Sequence, residues 1–156
     1  MSKKYELTDE TMELGGHTLH RIKALRDFND VKAGDLGGWV ESEANLSQSE
    51  KCWLCDNARI YDNAIVYGDA IVCDNARVCD NARIYDIKDY CIITGFGSRL
   101  SATTFFRCKD DEIRVNCGCF NGTLDEFRDK VKETHKDNKY AKEYLLAIDM
   151  VKVHFS

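Results

Sequence analysis

The chain lacks any apolar run that approaches the roughly 18 residues a transmembrane helix needs. Its first ten residues contain Lys3 and Lys4 but no apolar segment after them, so they do not resemble a secretory signal. Basic residues are not in excess, because 22 Lys and Arg stand against 27 Asp and Glu. These absences argue against a membrane protein and make binding to bare nucleic acid a poor expectation. We therefore expect a cytoplasmic protein with no membrane partner.

The chain also has no proline, and no threonine lies between Thr18 and Thr94. The second absence excludes an ice-binding β-helix, which would present ranks of threonine. What is present is a composition with 44% hydrophobic and 31% charged residues over 156 positions, enough for a core that needs no disulfide to fold. The eight cysteines are then expected to be reduced thiols, since the cytosol keeps thiols reduced.

A repeat with a period of six runs from Cys55 to Tyr90. Alanine occupies positions 58, 64, 70, 76 and 82, and Ile or Val occupies positions 60, 66, 72, 78 and 84. This spacing resembles the hexapeptide repeat of left-handed β-helices, in which three hexapeptides form one triangular coil. The resemblance implies that the aliphatic residue and the alanine point inward. The Asp-Asn pairs between them suit sharp corners, because both residue types tolerate a left-handed backbone.

Residues 18 apart should then stack on successive coils and form three outer faces. Two of these faces combine arginine with tyrosine, a pairing that can bind a phosphate or carboxylate while stacking on a ring. The alternative is that each arginine pairs with a corner aspartate. The candidate ligand-binding residues for a small anionic ligand are Arg59, Tyr61, Arg77, Tyr67, Arg83 and Tyr85.

The third face is almost wholly apolar on what should be the solvent side. Such a patch predicts contact with another surface, either the C-terminal helices or a second copy in a homo-oligomer, which we favour. The predicted oligomer or domain interface consists of Trp53, Cys55, Ile71, Cys73 and Cys91.

The flanking segments predict a cap and a small module. Before the repeat, Gly15 and Gly16 suit the turn of a β-hairpin. After it, strands are expected at 90–95, 103–107 and 112–116, followed by helices capped by Thr123 and Asn138. The predicted fold is mainly β: an N-terminal hairpin and entry cap (1–50), a short left-handed β-helix (51–95) and a small α+β module with two helices (96–156).

Three segments together resemble a group of small phage- and prophage-associated proteins. They are GDLGGWVESEANLSQ, CWLCDNARIYDNA and VNCGCFNGTLDEFRDKVKETHKDNKYAKEYL. The resemblance implies a phage accessory context in the host cytosol and a β-helical middle, but no mechanism.

Enzymes with hexapeptide repeats are disfavoured by the positions of histidine. The acyltransferases that resemble this scaffold use a histidine beside a coil as general base, and a β-helical carbonic anhydrase needs three histidines for zinc. The stretch from Arg21 to Thr134 contains none, which leaves His135, folded back from the C-terminal module, as the only reasonable base. We expect no catalytic residue, no cofactor and no metal. A zinc site that combines Cys52 and Cys55 with two N-terminal histidines is the weaker alternative.

The sequence thus predicts a non-catalytic, oligomeric binding protein rather than an enzyme. Its expected ligand is a host protein or a small anionic, nucleotide-like molecule, which a counter-defence protein would sequester. An acyltransferase and a phage structural protein remain the alternatives. A chemical role for the thiols of Cys117 and Cys119 is left open.

Overall fold

The computed structural model of the chain describes residues 2–156. It contains two compact units, of which the first ends at Ile87 and the second spans Lys88–Ser156. The division into segments 1–50, 51–95 and 96–156 stays a prediction. Within the described residues, neither helix combines the length and the apolar character needed to cross a membrane.

The first unit begins with the expected hairpin. Strands β1 (Tyr5–Leu14) and β2 (His17–Ala24) pair antiparallel, and Gly15 and Gly16 form the turn with positive φ. Strand β3 (Leu36–Val40) pairs antiparallel with β2 on one edge and parallel with the first coil on the other. The hairpin therefore extends one face of the repeat region as a continuous sheet.

The repeat region forms a β-solenoid of very short strands. Its three parallel ladders join residues 18 apart: Trp53 pairs with Ile71, Arg59 with Arg77, and Ile65 with Arg83. This register confirms the stacking expected from the period of six. The strands are β4 (Trp53–Leu54), β5 (Arg59–Ile60), β6 (Ile65–Val66), β7 (Ile71–Val72), β8 (Arg77–Val78) and β9 (Arg83–Ile84).

The inward positions of the repeat are fully buried. Each repeat alanine and each paired aliphatic residue has 0% exposure, which confirms their predicted orientation. The corners are left-handed, with φ between 53° and 61° at Asp56, Asp62, Asp74 and Asp80. Gly68 takes the equivalent place at the remaining corner, with a φ of 64°. Aspartate and glycine are favoured there because they tolerate this conformation better than other residues do.

The second unit is a four-stranded antiparallel sheet with two helices. Its predicted strands and both predicted helix caps are present, and the sequence analysis missed one strand, which pairs with its neighbour through a turn at Gly118 and Cys119. The core joins Phe105 and Val115 of the sheet to Phe127, Tyr144 and Ile148 of the helices. The elements are β10 (Tyr90–Ile93), β11 (Thr103–Arg107), β12 (Ile113–Cys117), β13 (Phe120–Thr123), α1 (Leu124–His135) and α2 (Lys139–His154).

Candidate functional site

The arginines of the coils bind backbone carbonyls at the corners. Arg59 Nη2 donates to the carbonyl of Asn75 at 3.1 Å, and Arg83 Nη1 donates to the carbonyl of Asn63 at 2.8 Å. The sequence had suggested that these arginines could pair with corner aspartates. In the structure both reach a corner, but each binds the carbonyl of the asparagine that follows the aspartate. Burial, followed by the positive charge of Arg77, lowers the pKa of Arg59. Both side chains brace neighbouring coils.

The six candidate ligand-binding residues lie on two different ladders. Arg59, Tyr61 and Arg77 follow the β5–β8 ladder, whereas Arg83 belongs to the β6–β9 ladder. On that second ladder, the rings of Tyr67 and Tyr85 meet edge to face with their centroids 5.1 Å apart. The structure therefore brings these residues together in two groups of three rather than in one site.

Tyr61 differs from its expected exposed position. It is only 8% exposed, and Cys79 beside it is 3% exposed. The cause is the hairpin, because the His17 ring lies 4.9 Å from the Tyr61 ring and covers it. Burial, with a smaller contribution from Cys79, raises the pKa of Tyr61. The position is outward in the coil, as predicted, but the side chain is not available to solvent.

His17 is the histidine that reaches the coils. Its Nδ1 lies 2.9 Å from Glu41 Oε2, and its Nε2 lies 3.3 Å from Asp62 Oδ1. Glu41 Oε1 also accepts the backbone N–H of Asp62 at 2.9 Å. The hydrogen bond to Glu41 raises the pKa of His17 above its ordinary value, against a smaller opposing effect of burial. Burial alone would raise the pKa of Glu41, but the hydrogen bonds from His17 and Asp62 outweigh it and lower that pKa.

This arrangement favours an imidazolium held between two carboxylates. A general base needs a ring nitrogen that can accept a proton, and both nitrogens of His17 already face an acidic group. The same side chains are reasonable divalent metal ligands, since ligand atoms of His17, Glu41 and Asp62 lie within 4.8 Å of one another. A second group of possible metal ligands consists of Asp62, Cys79 and Asp80.

From the sequence, His17 was considered only as a weak zinc ligand, and His135 was named as the reasonable base. His135 lies in the second unit, where its Nε2 is 3.3 Å from Ser98 Oγ and its ring stacks on Tyr144. The signal that could have identified His17 is the antiparallel pairing of β2 with β3, which places the start of β2 beside the entry to the first coil. It is obscured because Trp39 pairs with Arg59 across 20 residues rather than 18.

The four proposed zinc ligands are not brought together. Cys52 is fully buried and accepts a hydrogen bond from Lys4 Nζ at 3.3 Å. His17 faces Glu41, and His20 Nδ1 lies 3.3 Å from the Thr8 carbonyl. Cys55 lines a groove on another face.

The C-terminal thiols lie at the junction between β12 and β13. Cys117, at the end of β12, is buried and accepts a hydrogen bond from Thr103 Oγ1 at 3.4 Å. Cys119 is exposed in the turn that follows.

The apolar third face is partly covered by the N-terminal segment, an occupant that the sequence analysis did not consider. Trp53 is 4% exposed because the rings of Phe28 and Tyr5 pack against it at 5.3 Å and 6.4 Å. The side chains of Cys73 and Cys55 form a hydrogen bond. Burial, followed by this hydrogen bond, raises the pKa of Cys73 to about 12. Cys91 lies in the second unit, in β10 opposite Phe105.

A groove of about 720 Å³ opens beside the covered part of this face. Its floor contains Trp53 and Ile71, and Leu36 at its edge is 52% exposed. Three aspartates, at positions 30, 35 and 56, also line it, whereas none of its lining residues is basic. The groove thus combines an apolar floor with an acidic wall.

Comparison with known proteins supports the solenoid. Residues 58–74 match the family model described as the YdcK β-solenoid repeat. The chain is 48% identical over 42 residues to a protein of Escherichia coli (strain K12) named uncharacterized acetyltransferase YdcK. Those residues are 27% of this chain and span only 13% of the length of that relative. The similarity therefore establishes a β-solenoid repeat within the chain.

Proposed function

We propose that this chain is a non-catalytic binding module in which the β4–β7 face of the solenoid holds a cationic, partly apolar segment of a protein partner. The observation that carries the proposal is the groove with Trp53 and Ile71 in its floor and three aspartates along its wall. Apolar side chains of the partner would gain from burial on the floor. The aspartates would pair with Lys or Arg of the same segment.

The charge of this groove determines which ligand class it suits. Asp30 and Asp35 come from the segment before β3, and Asp56 comes from a solenoid corner, so acidic groups approach from two parts of the unit. These carboxylates would repel a nucleotide or another anion. An anionic ligand on the coil arginines stays a separate prediction, and at Arg59 and Arg83 it would compete with the carbonyls that they already bind.

Several finer features belong to the same proposal. The hexapeptide spacing supports a left-handed coil. The resemblance to phage-associated proteins supports an accessory role in the host cytosol, where the partner would be a host protein. We place the interface of the homo-oligomer on the same apolar face, because Ile71 and Leu36 are apolar residues that line its groove.

Peptide titration followed by two-dimensional NMR tests the groove. The probe is acetyl-Arg-Leu-Arg amide, and acetyl-Glu-Leu-Glu amide is its matched control. We expect saturable shifts at Leu36, Asp56 and Ile71 with the first peptide alone. Asp35→Asn combined with Asp56→Asn should weaken binding, whereas Asp69→Asn, at an exposed corner outside the groove, should not. Equal response to both peptides would contradict the proposal.

Light scattering separates a protein partner from a second copy of the chain. Ile71→Arg should abolish peptide binding by placing a cation and a larger side chain in the groove. If self-association occupies this face instead, the wild type scatters as an oligomer and the Ile71→Arg variant has a lower mass. Addition of the peptide then leaves the mass of the wild type unchanged.

A second candidate, acetyl transfer, is favoured by the name of the E. coli relative and by His17 against the coils. Its weakness is that both ring nitrogens of His17 face carboxylates. Calorimetric titration with acetyl-CoA tests it: saturable binding, with acetyl transfer to an amine or alcohol acceptor lost in His17→Gln or in His135→Ala, would replace the binding proposal. Absence of acetyl-CoA binding would remove this candidate.

A further inference from the structure

The second unit contains a pocket of its own, of about 230 Å³, between the segment after β10, the β12–β13 turn and both helices. Its inner wall is apolar and aromatic, with Phe120, Phe127 and Val131. The Phe127 ring meets the Tyr144 ring edge to face at 5.6 Å, and the Phe120 ring lies 5.2 Å from that of Phe127. An engineered cavity of about 150 Å³ binds benzene, so this volume suits one small ring rather than a large cofactor.

The outer wall of this pocket is cationic. Arg99, Lys130 and His135 line it, and none of its lining residues is acidic. Across residues 2–156, neither Arg99 nor Lys130 forms an ion pair with a carboxylate. The guanidinium group of Arg99 packs over Gly118, where an added Cβ would fall 2.5 Å from its Nε. This close approach gives the Arg99 side chain a defined position at the wall.

Two hydroxyl groups complete the polar side. Ser98 Oγ lies 3.3 Å from His135 Nε2 and 3.5 Å from the hydroxyl of Tyr144, which also accepts the backbone N–H of Ser98 at 3.2 Å. The imidazole of His135 stacks on the Tyr144 ring, with an interplanar angle of 21°. Ring stacking and mutual hydrogen bonds therefore hold Ser98, His135 and Tyr144 in place at the pocket.

We propose that this pocket binds a small ligand in which a carboxylate or phosphate group is attached to a single aromatic ring. The anionic group would pair with Arg99 and Lys130, whose charge-assisted hydrogen bonds are strong and, for a guanidinium, bidentate. The ring would pack among Phe120, Phe127 and Val131. This site is independent of the groove in the first unit and has the opposite charge preference.

Two-dimensional NMR of the full chain tests the site with defined probes: phenyl phosphate, benzoate, inorganic phosphate and uncharged benzyl alcohol. We expect saturable shifts at Ser98, Arg99, Cys119 and Lys130 for phenyl phosphate or benzoate, with a Kd of about 1 mM or tighter. Whichever of the two binds more tightly identifies the anionic group. Absence of saturation with both would overturn the proposal, as would a response to benzyl alcohol of the same strength. If inorganic phosphate binds as tightly as phenyl phosphate, the ring is not recognised and the proposed ligand class is wrong.

Substitutions at the wall provide the second measurement. Arg99→Gln and Lys130→Gln should each weaken binding about tenfold, because each removes one charge-assisted interaction. Lys132→Gln is the matched control, since it removes the same charge from the same helix without touching the pocket. Both wall positions are exposed, and an unchanged spectrum away from the pocket checks the fold. If all three variants weaken binding by the same factor, general surface charge, and not this pocket, attracts the ligand.

Discussion

His17 and Glu41 form an ion pair, with Nδ1 and Oε2 2.9 Å apart, although 24 residues separate them in the chain. The first residue of β2 is thereby joined to the residue that follows β3, and the same imidazole reaches Asp62 at the second solenoid corner. This pair links the hairpin to the coils and holds the His17 ring over Tyr61.

The pKa shifts of this pair predict a pH window for its contribution to stability. The pKa of His17 is raised, so its contribution is fully present below the unfolded value of about 6.5 and is lost as pH rises through the folded value. The pKa of Glu41 is lowered, so its contribution is present above the unfolded value of about 4.3 and is lost as pH falls through the folded value. Chemical denaturation of wild type and His17→Gln should differ by about 0.5–1 kcal/mol between these limits, and less above them.

The control for this prediction is the Glu41→Gln background. There His17→Gln should have a smaller effect that still depends on pH, because the Glu41 charge is gone while Asp62 Oδ1 remains 3.3 Å from Nε2. An effect of His17→Gln that is the same in both backgrounds would show that the histidine acts through packing on Tyr61 and not through the ion pair.

The sequence was sufficient for the parts of the fold that depend on local rules. The period of six places each inward Ala and Ile, and the Asp-Asn corners follow from the tolerance of these residues for a left-handed backbone. The cap at Thr123 likewise depends on a residue three positions later, and the structure has both of its hydrogen bonds.

What the sequence did not reveal depends on long-range packing. Burial of Tyr61 by His17, and of Trp53 by Phe28, follows from where the hairpin and its following loop lie on the coils. Neither contact has a periodic signal, because the first turn of the solenoid is irregular. The same reasoning explains the groove, whose aspartates come from segments that only the fold brings together.

The inward and outward positions of the coils predict unequal costs of truncation. Ile60 is fully buried, whereas Ile65 is half-buried on the outer side of its ladder. Ile60→Ala should lower the free energy of unfolding by about 2–4 kcal/mol through lost burial and the cavity left behind. Ile65→Ala should cost less than half as much. Urea denaturation checks both, and equal costs would contradict the register of the repeat.

Gly68 should be less replaceable than a glycine with a similar backbone in the hairpin turn. Both Gly68 and Gly15 have positive φ, at 64° and 56°. A Cβ at Gly68 would meet the Tyr85 ring at 2.7 Å, but a Cβ at Gly15 would meet nothing within 4 Å. Gly15→Ala therefore measures the backbone strain alone, about 1–2 kcal/mol, and Gly68→Ala should lose more in a thermal or urea melt. Similar losses would mean that both the Tyr85 ring, in a residue that is 56% exposed, and the Tyr85 carbonyl, which the same Cβ would meet at 2.8 Å, move aside without cost.

Lys4 carries the last prediction, because its ammonium group is buried and anchors β1's entry to the first coil. The residue has 0% exposure, and its Nζ donates to the Cys52 carbonyl at 2.6 Å, the Ser49 carbonyl at 3.3 Å and Cys52 Sγ at 3.3 Å. Burial lowers the pKa of Lys4, which the neighbouring Cys52 partly offsets.

Lys4→Met keeps the length of the side chain but leaves those two carbonyls without this donor. We expect a loss of about 1–3 kcal/mol in the free energy of unfolding, the usual result of removing a hydrogen-bond partner from buried groups. Lys3→Met is the matched control, because Lys3 pairs with Glu43 at 2.9 Å while its side chain is 60% exposed, and such pairs contribute about 1 kcal/mol or less. Urea denaturation of the full chain at neutral pH compares the two variants. If Lys4→Met costs no more than Lys3→Met, the buried ammonium does not hold the chain to the coil, either through these carbonyls or through its position 5.2 Å from the centroid of the Phe28 ring.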